Sequence, residues 1–231
     1  MYTTKPGWIS AIYELLKKYY MKESRVAVRC KTLQSLLQIY KSNRQIHEEE
    51  IIKSLVLPSL AKIDEEPQTE VKLEAIKVIT GICIECSSKR CVDLLDILEK
   101  IIMKPLENKA STDKPRPAQK ASNFQDVQAS IEGLIEIFCA RLCQHPASNA
   151  VRAYHILVKH LEMSYANLDI FSGLGATRKG IFQLMMKLRA NAKFHLGVET
   201  QRGSSEIHFS PYLICRSPLK QVRNIGKTSL I

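Results

Sequence analysis

The chain has 231 residues, 45% hydrophobic and 25% charged, with nine Gly and nine Pro. That balance fits one globular domain or a short run of repeats, and excludes fibrous and wholly disordered chains. Aromatics are only 6% and the net charge is +11, a composition that suits helices better than a β-sandwich.

Trp8, Ile9, Ile12, Leu15, Leu16 and Tyr19 recur at helical spacing after Pro6-Gly7, which predicts a first helix. Glu23-Ser24 opens a second helix carrying Val26, Val28, Leu33, Leu36, Leu37 and Tyr40, with Asn43 as its expected stop. Glu48-Glu49-Glu50 suit the first turn of a third helix, where acidic side chains meet the positive end of the dipole. Pro58 is expected to kink that helix, and Asp64-Glu65-Glu66-Pro67 to turn the chain. Two apolar helices follow, over Val71–Cys83 and Cys91–Met103.

Residues 104–123 hold three prolines and seven charged residues, and are read as a flexible linker. Helices are expected again over Phe124–Cys143, Ala147–Tyr165 and about Ser172–Leu196. Gly197–Cys215 reads as a two-stranded hairpin, and residues 216–231 as a disordered basic tail.

The charge is uneven. Residues 1–103 carry 16 basic and 14 acidic side chains, whereas residues 166–231 carry 10 and 3. The excess thus lies off the predicted helical body, which favours a solvated tail or an acidic partner over nucleic acid. No apolar run approaches the roughly 20 residues of a membrane helix, and the N-terminal sequence is not that of a secretory signal. Cytoplasmic residence is expected, with peripheral endomembrane and nuclear locations left open.

Helix openings resemble one another. Val28-Arg29 through Leu33 overlays Val71-Lys72 through Ile76 at a shift of 43, and Val151-Arg152 through Ile156 fits 80 residues further on. A period near 40–47 with a Val-Arg/Lys pair is what HEAT and armadillo repeats show. The predicted fold is therefore all-α, a HEAT/armadillo-like α-solenoid ending in a short β-hairpin. Arg29, Lys72 and Arg152 are expected to make equivalent inter-repeat contacts.

No constellation for catalysis stands out. Cys83-x-x-Cys86 with Cys91 lacks a nearby fourth ligand, so core thiols are expected rather than zinc. Cys139 and Cys143 share one helix face and are read as packing residues. His155 and His160, five apart, point to different faces of a helix. Gly226-Lys227-Thr228 lacks the upstream Gly of a phosphate-binding loop, with Gln221 in its place. No catalytic residue, metal ligand or cofactor is assigned.

Three stretches within 124–215 resemble the conserved domain of the tuberin family. They are Asp126-Val127 with Gly133-Leu134, Pro146-Ala147-Ser148-Asn149-Ala150-Val151-Arg152-Ala153-Tyr154, and His208-Phe209-Ser210-Pro211-Tyr212-Leu213-Ile214-Cys215. Among these Arg152, Tyr154, Phe209, Ser210, Pro211 and Tyr212 are the family-motif residues. Residues 7–103 are similar to the helical region that precedes this domain, through Gly7-Trp8-Ile9, Glu23-Ser24-Arg25, Ala27-Val28-Arg29, Asn43-Arg44-Gln45, Glu48-Glu49-Glu50 and Leu94–Lys100. The resemblance implies a non-catalytic scaffold segment of a GTPase-activator subunit. Its expected partners are a hamartin-like subunit and a Rheb-type small GTPase upstream of the target-of-rapamycin kinase. The family's GTPase-activating domain, near the C-terminus of a much longer protein, has no counterpart here, so a fragment or short isoform is expected. The alternative is a HEAT-repeat adaptor or transport scaffold unrelated to GTPases.

Overall fold

The computed structural model describes residues 7–110, 124–141 and 148–190. Among them the regular elements are helical, and there is no strand. The expected hairpin, the tail and residues 111–123 lie outside the described residues.

The first helix, α1 (Gly7–Leu16), widens into a π-helical turn over Lys17–Met21. Next, α2 spans Val26–Ile51. The Glu23 carboxylate opens it by accepting bonds from the backbone N–H groups of Ser24 and Arg25, a favourable place for negative charge at a helix start. The Arg25 side chain and these amides hold the Glu23 carboxyl down at about 2.

Asn43 does not end α2. Its amide bonds back to the Ile39 carbonyl, four residues earlier, so the side chain stays on the helix rather than capping it. The break comes at His47, at φ −124° and ψ 24°, and Glu48-Glu49-Glu50 begin the redirected part. Ahead of Pro58 the chain again widens into a π-turn, Ile52–Val56, before α3 (Leu57–Leu60). That widening falls where the proline lacks an N–H for the usual ladder.

Two long helices follow, α4 (Thr69–Glu85) and α5 (Cys91–Ala110). The latter runs seven residues past Met103 and carries Pro105 inside it. An internal proline costs roughly 3 kcal/mol. Leu106 packs on the core and Lys104 Nζ binds the Asp64 carbonyl, contacts that offset this cost. The remaining helices are α6 (Gln125–Arg141), α7 (Ser148–Ala166), the single turn α8 (Leu168–Phe171) and α9 (Gly175–Ala190).

The helices form two rows. In one, α4 packs between α2 and α6; in the other, α5 packs on both α3 and α7. Pairs α4·α5 and α6·α7 join the rows. One continuous apolar core runs from Ile9 to Ile181. Flanked on several sides, α4 buries Val71, Ala75, Ile76, Val78, Ile79, Ile82 and Cys83, more than one apolar stripe. By contrast, ahead of its break at His47 α2 buries a narrow stripe of Leu33, Leu36 and Tyr40. Each such side chain contributes about 2 kcal/mol.

Candidate functional site

Charged side chains near the helix starts tie successive helices together along each row. Arg29, at the start of α2, donates from Nη1 and Nη2 to the two oxygens of Glu66, at 3.0 and 2.5 Å. Its Nε donates to the Tyr20 carbonyl at 2.9 Å, and the guanidinium lies over the Tyr20 ring. Glu66 accepts as well from the backbone N–H of Gln68. Burial alone would raise the Glu66 carboxyl, but these donors outweigh it and hold it below the usual range. The same enclosure pushes the Tyr20 phenol up to about 12.

Lys72, at the start of α4, reaches Asp126 Oδ2 in the first turn of α6 at 3.1 Å. Arg29 and Lys72 thus stand alike: each opens a helix of the first row and points to the acidic entrance of the next. Arg152 does not share this place. It opens α7, in the other row, and turns to α5, where it meets Asp96 Oδ1 at 2.6 Å and also Glu99. Lys159 joins Glu99 at 2.7 Å. The third stretch of the repeat alignment therefore falls on a helix of the other layer.

The sequence reading missed three partners. Arg141, in the last turn of α6, is buried and binds the carbonyls of Ile84 and Cys86. From the other side, Arg44 of α2 binds the carbonyl of Glu85 and also its carboxylate. Three successive carbonyls at the end of α4 are thus capped by guanidinium groups from both neighbouring helices, where cations are favoured. Glu48, just past the kink, accepts from the Tyr40 hydroxyl and from the N–H and hydroxyl of Ser87. Burial opposes its charge, but these donors keep its carboxyl below the ordinary value. An Arg in a last helical turn was the one signal available for Arg141.

The cysteines divide. Cys83, Cys86 and Cys91 are free, buried thiols between α4 and α5, and Cys30 is half-buried. Hydrogen bonding to Cys91 and burial push the Cys86 thiol well up, so it stays protonated. Among the described residues no group of three or more His, Cys, Asp or Glu is arranged to hold a metal ion. Cys139 is exposed, which corrects its reading as a packing residue; Cys143 lies outside the described residues. His155 is exposed and His160 fully buried, as their spacing requires.

Both nitrogens of His160 lack a hydrogen-bond partner. Its ring meets Phe171 edge-on at 5.5 Å. Burial, and then the charge of Arg178, lower its pKa to about 4. Arg178 donates to the Phe171 carbonyl at 2.6 Å and lies over Tyr165. Of the family-motif residues, Arg152 occupies the α5–α7 network, and Tyr154 is buried with its ring 5.8 Å from Phe138. Phe209, Ser210, Pro211 and Tyr212 lie outside the described residues.

Among the described residues no helix is long and apolar enough to cross a membrane. The arrangement is one of packed helices with ion pairs between neighbours along each row, a framework that presents surfaces. Residues 122–230 match the family model described as Tuberin, a stretch that takes in α6 to α9 and runs past Cys215. The chain therefore contains a tuberin-family segment.

Proposed function

We propose that this chain is a non-catalytic scaffold segment of a tuberin-like GTPase-activator subunit. The observation that carries this reading is the match of residues 122–230 to the tuberin family, a region distinct from the family's GTPase-activating domain. In this role the chain contributes to a tuberin–hamartin assembly that restrains a Rheb-type GTPase and target-of-rapamycin signalling.

The two helix rows support a HEAT-like stack in which α2, α4 and α6 are successive inner helices. The Arg29–Glu66 and Lys72–Asp126 pairs would then be inter-repeat ties, and Arg152 a tie along the outer row. Such stacks stabilise each unit through its neighbours.

The test is capture of hamartin by the tagged full chain after co-expression, beside single-turnover GTP hydrolysis by Rheb. Capture without acceleration of hydrolysis is expected. Absence of capture would favour an adaptor unrelated to GTPases, and acceleration well above the intrinsic rate would overturn the non-catalytic reading.

A further inference from the structure

A groove of about 510 Å³ opens between α1 and the first half of α2. Its floor and banks are apolar: Ile12, Leu15 and Tyr19 on one side, Ala27 and Ile39 on the other, with the small Ser35 between the last two. Leu15 is 53% exposed and Tyr19 38%, so the described residues leave this apolar lining uncovered. On α2 the lining runs from Ala27 to Ile39, about 18 Å at 1.5 Å per residue. That length accommodates three to four turns of a helix, and the small Ala27 and Ser35 permit close approach.

The rim of the groove carries positive charge. Lys31 lines it, Lys18 holds its ammonium 4.9 Å from the ring of Tyr19, itself a lining residue, and Lys22 caps the π-turn that follows α1. None of the three has a carboxylate partner among the described residues, since nearby Glu14 is held by Lys17 and Glu23 by Arg25. The chain's own segment 216–231 holds Arg216, Lys220, Arg223 and Lys227 with no acidic residue, so charge disfavours it as the occupant. The same lysines would face one another if a second copy docked groove to groove.

We propose that this groove is a docking site for an amphipathic helix of a partner polypeptide, with an apolar stripe for the floor and acidic residues along its flanks. The mode is helix-in-groove recognition, in which apolar side chains at i, i+3, i+4 and i+7 anchor the ligand. Charge at the rim then selects among helices with the same stripe and governs the rate of encounter.

Two labelled model peptides of 18 residues test this by fluorescence anisotropy against the full chain. Both carry Leu at i, i+3, i+4 and i+7; one has Glu on its flanks, the other Lys. The Glu peptide is expected to bind at least tenfold more tightly than the Lys peptide, and to weaken as salt rises. Leu15→Asp, at an exposed position, should weaken it about tenfold. The charge-reversed variant Lys18→Glu/Lys22→Glu/Lys31→Glu should prefer the Lys peptide, an inverted selectivity that a merely unfolded variant would not show. Equal binding of the two peptides, or no binding of either at 1 mM, overturns the proposal. Sedimentation showing a dimer that Leu15→Asp dissociates would assign the groove to a second copy instead, and overturns it too.

Discussion

The two halves of the molecule hold themselves together differently. Through α1 to α5 the interior is almost wholly apolar, with Ser59 and Thr80 as its buried polar residues. From α6 to α9 a smaller set of helices buries Ser130, Arg141, Asn149, His160, Ser164 and Arg178. Charge in the first half sits at helix entrances, as in Arg29–Glu66, where water still reaches part of the pair. In the second it goes inside, and backbone carbonyls must satisfy it. An apolar interior tolerates changes of volume more readily than a polar one tolerates loss of a partner. The half that matches the tuberin family is therefore the one more sensitive to single polar substitutions and to pH.

The strongest way to break this contrast is Arg141→Ala. It removes the donor to the Ile84 and Cys86 carbonyls and leaves a void, an expected loss of about 4 kcal/mol in chemical denaturation. Leu36→Ala in the first half should cost about 3 kcal/mol by the cavity it opens, with no dependence on pH. A loss under 1 kcal/mol for Arg141→Ala would remove the basis of the comparison.

His160 sharpens it through pH. The unfolded chain protonates this imidazole near 6.5, whereas the folded one holds it neutral down to about 4. Between those values the unfolded state binds the extra proton, so stability falls as pH falls, by about 3 kcal/mol in all. His160→Leu should abolish that slope and leave stability at pH 7 equal or higher, because an unpartnered buried polar group is removed. Glu48 and Glu66, whose carboxyls are depressed in the fold, lose their contributions at still lower pH, below about 4.5. Parallel pH profiles for wild type and His160→Leu between 4.5 and 6.5 would contradict this account.

Where the halves meet, contact is close. A Cβ at Gly133 of α6 would lie 2.3 Å from Thr80 Oγ1 of α4. Gly133→Ala should cost about 2 kcal/mol by forcing the helices apart, and Thr80→Ala in the same chain should restore most of it. Failure of that rescue in thermal melts would show that the helices are not in this register.

The smallest effects belong to the entrance pairs. Arg29→Ala should cost about 2 kcal/mol and Arg152→Ala about 1 kcal/mol, since the Arg152 network is more exposed. Arg29→Lys should recover little, because one ammonium cannot satisfy both Glu66 oxygens and the Tyr20 carbonyl. Lys17→Ala, at an exposed pair, should melt with wild type. If all four melt together, the entrance ties carry no stability.

Helical periodicity makes most of the fold legible: the apolar runs of α1, α4, α5, α6 and α7 stand out in the sequence itself. Boundaries are less so. Asn43 reads as a stop and residue 104 as the start of a linker, yet α2 passes the first and α5 runs on through Pro105 to Ala110. Side-chain bonding back to Ile39 neutralises one, and tertiary contacts of Leu106 and Lys104 offset the other. The basic members of the ion pairs could be picked out because they opened helices. Their acidic partners could not, since Glu66, Asp126, Asp96 and Glu99 lie far along the chain and no local pattern links them. The expected equivalence of Arg152 with Arg29 and Lys72 breaks for a related reason. A Val-Arg pair marks a helix start, but not which row the helix joins.

The clasped end of α4 has a consequence for how this molecule can be edited. The turn over 86–90 is short and carries the polar residues Ser87, Ser88, Lys89 and Arg90, features that ordinarily mark a tolerant place for a tag or a new loop. Yet Arg44 and Arg141 grip the carbonyls that lead into it, Glu48 holds Ser87, and Glu49 holds Arg90. An inserted segment there would have to release anchors on two helices, α2 and α6, at once. This turn behaves as a hinge pin fastened on both sides, and a fluorescent or affinity insertion belongs elsewhere on the molecule.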